Sequence, residues 1–573
     1  MQKKIMARTV PSNSMLTDVA PVLARIYAAR GVLDNAQLDY SLKHLFRPSQ
    51  LKGIEQALTL LLAARAKQQR ILIVGDFDAD GATSTTVAVR CLRALGFNSV
   101  DYLVPNRFEY GYGLTPEIVT VAKQFEPDLL ITVDNGISSI EGVAAAQAAG
   151  MKVLVTDHHL PGAQLPSAGA IVNPNQQGCE FPTKNCAGVG VIFYVLSALR
   201  AAMQSEYYSQ KPAPNFAQFL DLVSLGTVAD VVPLDHNNRI FVQQGLLRMR
   251  AGLACEGIKA IAKVAGREIT KLRASDLGFM VGPRLNAAGR LDDMSLGIRC
   301  LLTDDPTEAL ALASELDALN KERRAIEGSM QADAAVILEA LNHNNEDEAL
   351  SGVCLYQSDW HQGVIGILAS RVKDKLHRPT IVFADDSESI LKGSGRSVAG
   401  IHLRDVLDEV AAKNPGMLTK FGGHAMAAGL SLEKHHLLNF QKSFNEVVAQ
   451  KAGQEGLTPV LFTDGALTSE DFNLPLAEAL ENAGPWGQAF PEPTFSGEFI
   501  LVNQRIVGQK HLKLVLALPQ NPQQTMDAIS FNVDVSVWPN DTCHRVLVVY
   551  KLQVNEFNGR RNVQLLIDYI EAL

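Results

Sequence analysis

Asp157-His158-His159 ends an apolar run, Lys152-Val153-Leu154-Val155-Thr156, and two earlier runs end in a comparable way. Ile71-Leu72-Ile73-Val74-Gly75 leads into Asp76, Asp78, Asp80 and Gly81, and 128–133 leads into Asp134, Asn135 and Gly136. Short Val/Leu/Ile-rich runs read as buried strands. Open α/β sheets bind ligands at the carboxyl ends of their strands, so three strand ends would bring carboxylates and imidazoles to one sheet edge. Asp and His are hard-to-borderline ligands that suit Mn²⁺ or Mg²⁺ better than thiolate-preferring metals. One ion does not need five or six such residues, but two ions sharing a bridging carboxylate do. A pair of that kind clamps a phosphoryl oxygen and generates hydroxide at neutral pH.

Other chemistries fit less well. Asp76-x-Asp78-x-Asp80-Gly81 opens like a calcium loop, but its twelfth position is Val87 where a bidentate Glu is required. No Gly-Lys-Ser/Thr completes a phosphate-cradling loop. An acidic turn capping a helix over 82–95, with Asp80 or Thr83 as the cap, needs only one carboxylate. Carboxylates this close repel unless a cation lies between them. Asp134 alone could cap a helix, and His158 and His159 alone could be ordinary polar residues; their joint occurrence favours ligation.

Asp230 lies in the otherwise apolar stretch GTVADVVPL (226–234), where a lone carboxylate is costly unless paired or metal-bound. Ligand, cap and local ion pair are all open to it. In Gly393-Ser394-Gly395-Arg396-Ser397 a guanidinium stands beside hydroxyls, which suits a phosphate, in a Gly-rich turn that allows close approach. A solvated Arg in a turn is the plainer reading. Arg107 follows a strand end on the side of the acidic cluster and is a second candidate phosphate ligand. Tyr110 and Tyr112 beside it could stack bases or simply pack.

The elements that must position these groups follow from periodicity and length. A chain of 573 residues is too long for one core and implies two to four domains. Residues 1–66 read as helical and peripheral. Strands and helices alternate over 67–240, which argues for a mostly parallel sheet with helices on both faces. Residues 241–345 read as helical. Asp305-Pro306 opens a long helix to about residue 341, closed by a loop at 342–348 and suited to a spacer between lobes. A second α/β pattern covers 346–452. After a linker at 451–459, short strands over 458–573 have the texture of a small antiparallel barrel.

The net charge of −9 excludes nucleic-acid binding through bulk charge, so any such site must be a local basic patch. Seven scattered cysteines without a C-x-x-C pair fit a reducing cytoplasm rather than a structural zinc or disulfide framework. Neither a signal peptide nor a membrane-spanning run is expected.

Eight segments in order, GDFDADG (75–81), TVDNG (132–136), TDHH (156–159), GTVADVVPL (226–234), GPRLNAAGRL (282–291), SDWHQGVIGI (358–367), GSGRS (393–397) and GGHAMAAG (422–429), resemble the DHH phosphoesterase family. Within it they are similar to the bacterial single-strand-specific 5′-to-3′ DNA exonucleases of repair and recombination. The resemblance implies a DHH phosphoesterase parallel-sheet domain, a long connecting helix, a DHH-associated α/β domain and a C-terminal OB-like β-barrel. It implies metal ligands at Asp78, Asp80, Asp134, His158 and Asp230, with His159 a ligand or phosphate contact and Asp76 a further candidate. Asp157 would orient a ligand. Ser394, Arg396 and Arg107 resemble a pocket for a 5′ phosphate, and Tyr112, Arg284, Arg290, His361 and His424 are further candidate substrate contacts.

The implied activity is two-metal hydrolysis of single-stranded DNA from a 5′ end, releasing 5′-mononucleotides with Mn²⁺ or Mg²⁺. The implied partners are a single-stranded-DNA-binding protein and a helicase, with no membrane and a monomeric chain. Smaller DHH relatives carry a His where this chain has Val74, so the metal shell differs from theirs. The family's G-P-[FW]-G-x-G-N-P pattern reads Gly484-Pro485-Trp486-Gly487-Gln488-Ala489-Phe490-Pro491, and no binding role is expected of it. Residues 461–500 hold no Lys or Arg, so a DNA grip by the barrel falls to Arg505, Lys510, Lys513, Arg560 and Arg561. The rival functions are a DHH hydrolase of oligoribonucleotides, cyclic dinucleotides or pyrophosphate, and a non-catalytic DNA-binding member with eroded ligands.

Overall fold

Five apolar runs between Ile71 and Val172 pair into one parallel sheet. The strands are β1 (Ile71–Gly75), β2 (Val100–Leu103), β3 (Leu129–Val133), β4 (Lys152–Thr156) and β5 (Ala170–Val172), in the spatial order β2-β1-β3-β4-β5. Every residue of β1 and β3 is buried, as expected when helices cover both faces. The chain leaves β1 toward β2 on one side and returns to β3 on the other. The order therefore reverses between β1 and β3, where open α/β sheets place their ligand crevice. The computed structural model describes residues 3–106, 109–208, 212–344, 350–453, 457–557 and 559–573.

The helix after β1 runs Ala79–Ala94 and begins three residues earlier than expected. Its cap is Asp78, not Asp80 or Thr83: Asp78 Oδ1 accepts from the N–H groups of Asp80 and Gly81 at 2.9 and 3.0 Å. Helices Gly188–Ala202 and Leu220–Ala229 pack on it. The N-terminal residues are helical in part but not peripheral. Helix Ile54–Ala66 buries Ile54, Ala57, Leu61 and Ala64, and Ile26 of helix Pro21–Ala28 lies in the barrel core. Arg30 secures that contact by an ion pair to Asp464 at 2.7 Å.

Residues 236–302 are mostly helical and include a π-turn, Leu277–Val281, that runs into helix Gly282–Leu291. The long helix spans Pro306–Asn344, 39 residues, or about 58 Å at 1.5 Å per residue. Asp305 Oδ1 accepts from Thr307 N–H at its start. The loop expected at 342–348 is helix through Asn344, and its remainder lies outside the described residues.

The second sheet holds β6 (Val353–Tyr356), β7 (Thr380–Asp385), β8 (Ile390–Arg396), β9 (Leu418–Gly423) and β10 (Ala427–Glu433) in the order β9-β10-β8-β7-β6. Only the β6–β7 pair is parallel. The GSGRS segment is not a turn: Gly393–Arg396 are the end of β8, laddered to β7 and β10.

The last five strands, β11 (Phe495–Val507), β12 (His511–Leu518), β13 (Asn521–Ser530), β14 (Arg545–Phe557) and β15 (Arg560–Ala572), close as β11-β12-β13-β15-β14. The parallel β13–β15 pair closes a five-stranded Greek-key barrel of the OB kind. The chain falls into two compact units. One comprises 1–4, 290–292 and 318–461, and the other comprises 5–289, 293–317 and 462–573, so the barrel shares a unit with the parallel sheet.

Candidate metal centre

Four segments of one unit meet at the carboxyl ends of β1, β3 and β4. Asp76 and Asp78 follow β1, Asp80 sits in the first turn of the next helix, Asp134 follows β3, and His158 and His159 follow β4. Asp230 arrives on the C-cap of helix Leu220–Ala229, with Oδ2 3.5 Å from His158 Nε2. Three groupings have ligand atoms all within 4.8 Å of one another: Asp134-His158-His159, Asp80-His158-Asp230 and Asp76-Asp78-Asp134. Asp134 and His158 each belong to two of them.

The cluster is built for negative charge that something else must balance. His158 Nε2 lies 3.1 Å from Asp134 Oδ1 and 3.5 Å from Asp230 Oδ2. Those two carboxylate oxygens are buried and accept no hydrogen bond among the described residues. Burial pushes the Asp134 carboxyl well above the usual range, helped by the fields of Asp80, Asp78, Asp230 and Asp76. Asp230 rises for the same reasons, burial first and then Asp80 and Asp78. Burial and Asp78 raise Asp80 to about 7, although the N–H groups of Gly188 and Val189, at 2.6 and 3.0 Å, favour its charged form. Carboxylates and an imidazole that converge with oxygens of Asp134 and Asp230 left unpaired among the described residues are a donor set for divalent cations, so Mn²⁺ or Mg²⁺ fits these residues.

Asp157 stands apart. Burial would raise its pKa, but the bond from His159 and the N–H of Ile137 outweigh it and hold the carboxyl low. Asp157 Oδ1 receives the N–H groups of His158 and His159 at 2.7 and 3.1 Å and faces His159 Nδ1 at 2.8 Å. A carboxylate on Nδ1 fixes the imidazole tautomer and leaves Nε2 as the lone-pair donor. Burial disfavours the charged form of His159, yet this bond and the nearby carboxylates raise its pKa overall.

Some contributors were not legible in the sequence. The carbonyls of His158 and His159 are held by the amides of Asn175 and Asn173; Asn-Pro-Asn directly after a strand was the available sign. A Cβ at Gly188 would lie 2.6 Å from Asp134 Oδ1, and one at Gly226 would lie 2.8 Å from Asp80 Oδ1. Asp134 and Val231 hold φ of 63°, a left-handed conformation that costs a non-glycine residue about 1–2 kcal/mol. The Gly484–Pro491 turn has a structural role. Trp486 stacks on Phe490 with centroids 5.2 Å apart, and Gln488 O accepts from Leu234 N–H at 2.8 Å, four residues past Asp230.

The candidate substrate contacts divide. Tyr112 is 51% exposed, and its hydroxyl lies 3.2 Å from His159 Nδ1. Arg107 lies outside the described residues. Arg284 is not presented to a ligand: it is buried against Asp317 at 2.8 Å and donates to Met280 O. In the other unit, Arg290 donates to Gly363 O at 2.9 Å and His361 Nδ1 accepts from Gly363 N–H. His424 is exposed in the β9–β10 hairpin. Ser394 and Arg396 alternate along β8 and share a face, 3.2 Å apart. Gly366 in the first turn of helix Ile365–Leu376 opens space above them, since a Cβ there would lie 2.9 Å from Ser394 Oγ and 3.0 Å from Arg396 Nη2. Burial lowers the pKa of Arg396, and it makes no ion pair among the described residues.

Family models match three stretches: the DHH family N-terminal domain over 70–227, the DHHA1 domain over 349–450 and the RecJ OB domain over 463–569. The single-stranded-DNA-specific exonuclease RecJ of Haemophilus influenzae is 51% identical over 576 residues, covering 100% of both chains. The chain belongs to the RecJ family. The RecJ of Escherichia coli is 50% identical over 96% of each chain. A crystal structure of RecJ from Thermus thermophilus in complex with Mn²⁺ has a TM-score of 0.81 at 29% identity, covering 100% of this chain and 79% of that one. A second, in complex with Mg²⁺, has a TM-score of 0.76. The expected fold class and family therefore hold, and these relatives are of the enzyme class read from the sequence. No helix among the described residues is long and apolar enough to cross a membrane.

Proposed function

We propose that this chain is a metal-dependent, single-stranded-DNA-specific exonuclease that hydrolyses phosphodiester bonds from a 5′ end and releases 5′-mononucleotides in repair and recombination. The observation that carries the reading is the cluster in which Asp134 and His158 are each shared between two candidate ligand groups. Asp76, Asp78, Asp80, Asp134, His158, His159 and Asp230 would hold two ions, Mn²⁺ or Mg²⁺. When bound, such ions polarise a phosphoryl oxygen and acidify a water. Asp157 keeps His159 in the tautomer that offers Nε2, and the backbone of Gly188 and Val189 fixes Asp80.

Polarity comes from the terminal phosphate. Ser394 and Arg396 anchor it: a half-buried guanidinium with no carboxylate partner among the described residues is completed by an anion. Tyr112, Arg290, His361 and His424 are the further residues we read as substrate contacts. The barrel holds the rest of the strand. Arg505 and Lys513 are cross-strand partners on β11 and β12, and Phe531 follows β13 beside His511. Lys513 lies on the second barrel strand and Phe531 at the end of the third, the strands with which OB barrels bind oligonucleotides, and Arg505 lies on the first strand beside the loop that leads into the second. We assign the chain to the cytoplasm as a monomer, working with a single-stranded-DNA-binding protein and a helicase; its seven free cysteines fit that compartment.

Product analysis on end-labelled single strands tests the reading. With Mn²⁺, a 5′ label should appear at once as mononucleotide and a 3′ label should persist on shortening strands. A 3′ label released first, or cleavage that survives EDTA, would refute it.

A further inference from the structure

The segment GPRLNAAGRL has so far had no part in the metal centre. Its helix, Gly282–Leu291, lies on the turn that carries Asp76, Asp78 and Asp80. Asn286 Oδ1 accepts from Ala79 N–H at 2.8 Å. A Cβ at Gly289 would fall 1.7 Å from Phe77 O, so only glycine permits this approach. A helix start leaves four N–H groups without intrahelical acceptors. Here Asp78 Oδ1 takes those of Asp80 and Gly81. Ala82 N–H makes the first intrahelical bond, to Asp78 O at 2.9 Å. Of the first three helical residues that leaves Ala79, 1% exposed, whose N–H finds its acceptor outside the helix in Asn286.

We infer that Asn286 is a positioning residue of the metal centre: by taking the Ala79 N–H it spares Asp78 and Asp80 a further backbone bond beyond the cap and the Gly188 and Val189 contacts they already make. Without it, a buried donor sits between two ligands and draws one of them into a backbone bond. Gly289 keeps the helix close enough for Asn286 to reach. The inference rests on the two-ion reading proposed above.

The test is calorimetric titration of the full-length chain with Mn²⁺ in the absence of DNA, beside thermal melts in EDTA. Asn286→Leu removes the acceptor at similar volume, and Asn286→Asp keeps it. Loss of an outer-shell partner typically costs 10–100-fold in metal affinity, so the Leu variant should bind Mn²⁺ about tenfold or more weakly, and the Asp variant should stay within about threefold of the parent. The EDTA melt of the Leu variant should remain a single cooperative transition, lowered by the unpaired N–H, so that its Mn²⁺ affinity is read on a folded chain. Unchanged Mn²⁺ affinity in the Leu variant, or an Asp variant as weak as the Leu one, overturns the inference. Gly289→Ala is the second probe if the Leu variant does not fold. Weakened Mn²⁺ binding there supports the inference, and parental binding overturns it. A parent chain that binds no Mn²⁺, or binding untouched by Asp134→Asn, instead removes the two-ion reading itself.

Discussion

Asp134 meets two opposed demands: its backbone is held at φ 63° and its carboxylate is buried among four others. In the metal-free chain that arrangement is destabilising. Asp134→Asn should therefore raise the melting temperature in EDTA while lowering turnover with Mn²⁺ by at least about 10²-fold, checked by calorimetry and steady-state kinetics. A pH dependence follows with a defined sign. Asp80 titrates near 7 in the folded chain against an ordinary 3.8, so between these values the folded state binds more protons than the unfolded one. Stability in EDTA should then fall as pH rises through that window, and Mn²⁺ should abolish the fall; melts at the two ends of the window check it. Arg396 has the opposite need, an anion. Arg396→Gln should raise KM for a 5′-phosphorylated strand by roughly 10–100-fold, the worth of a charge-assisted hydrogen bond, and hardly change KM for a 5′-hydroxyl strand. The residue types were legible in the sequence, because strand ends rich in Asp and His have few other uses. The roles of single oxygen atoms were not: Asp78 spends Oδ1 on a helix cap, and only hydrogen-bond geometry shows it.

Elements were legible where one side of them is apolar. The strand expected at 152–156 is β4 as observed, because a short run buried on both sides leaves little room for another register. The GSGRS segment was misread because glycine and serine dilute its apolar signal, while β7 and β10 supply the backbone bonds that make it a strand. The barrel strands, expected to be short, reach 13 residues in β11, β14 and β15. At the end of helix Leu220–Ala229, Val231 is β-branched, 61% exposed and left-handed at φ 63°. Asn tolerates that conformation far better. Val231→Asn should therefore stabilise the chain by about 1 kcal/mol in urea titrations, without moving Asp230.

At the scale of the whole molecule, a net charge of −9 leaves a grip on a single strand to local cations, which are expected on the barrel. Of its expected cations, Arg561 is taken by Glu478 at 2.9 Å. Arg505, Lys510, Lys513 and Arg560 make no ion pair among the described residues. Single-strand binding should weaken linearly in log–log salt plots, and removing Arg505 and Lys513 together should reduce the slope by about 1.4, at about 0.7 per phosphate contact. An unchanged slope would place the strand elsewhere. The sequence by itself determined the periodicities, the strand ends and the ligand types, and with them the fold class and the family, because those signals lie within a few residues of one another. Only the tertiary structure decided that Asp230 joins the cluster, that Arg284 is consumed by Asp317, and that Asn286 supports a turn 207 residues away. Each depends on burial and on a partner distant along the chain, and local pattern carries no record of either.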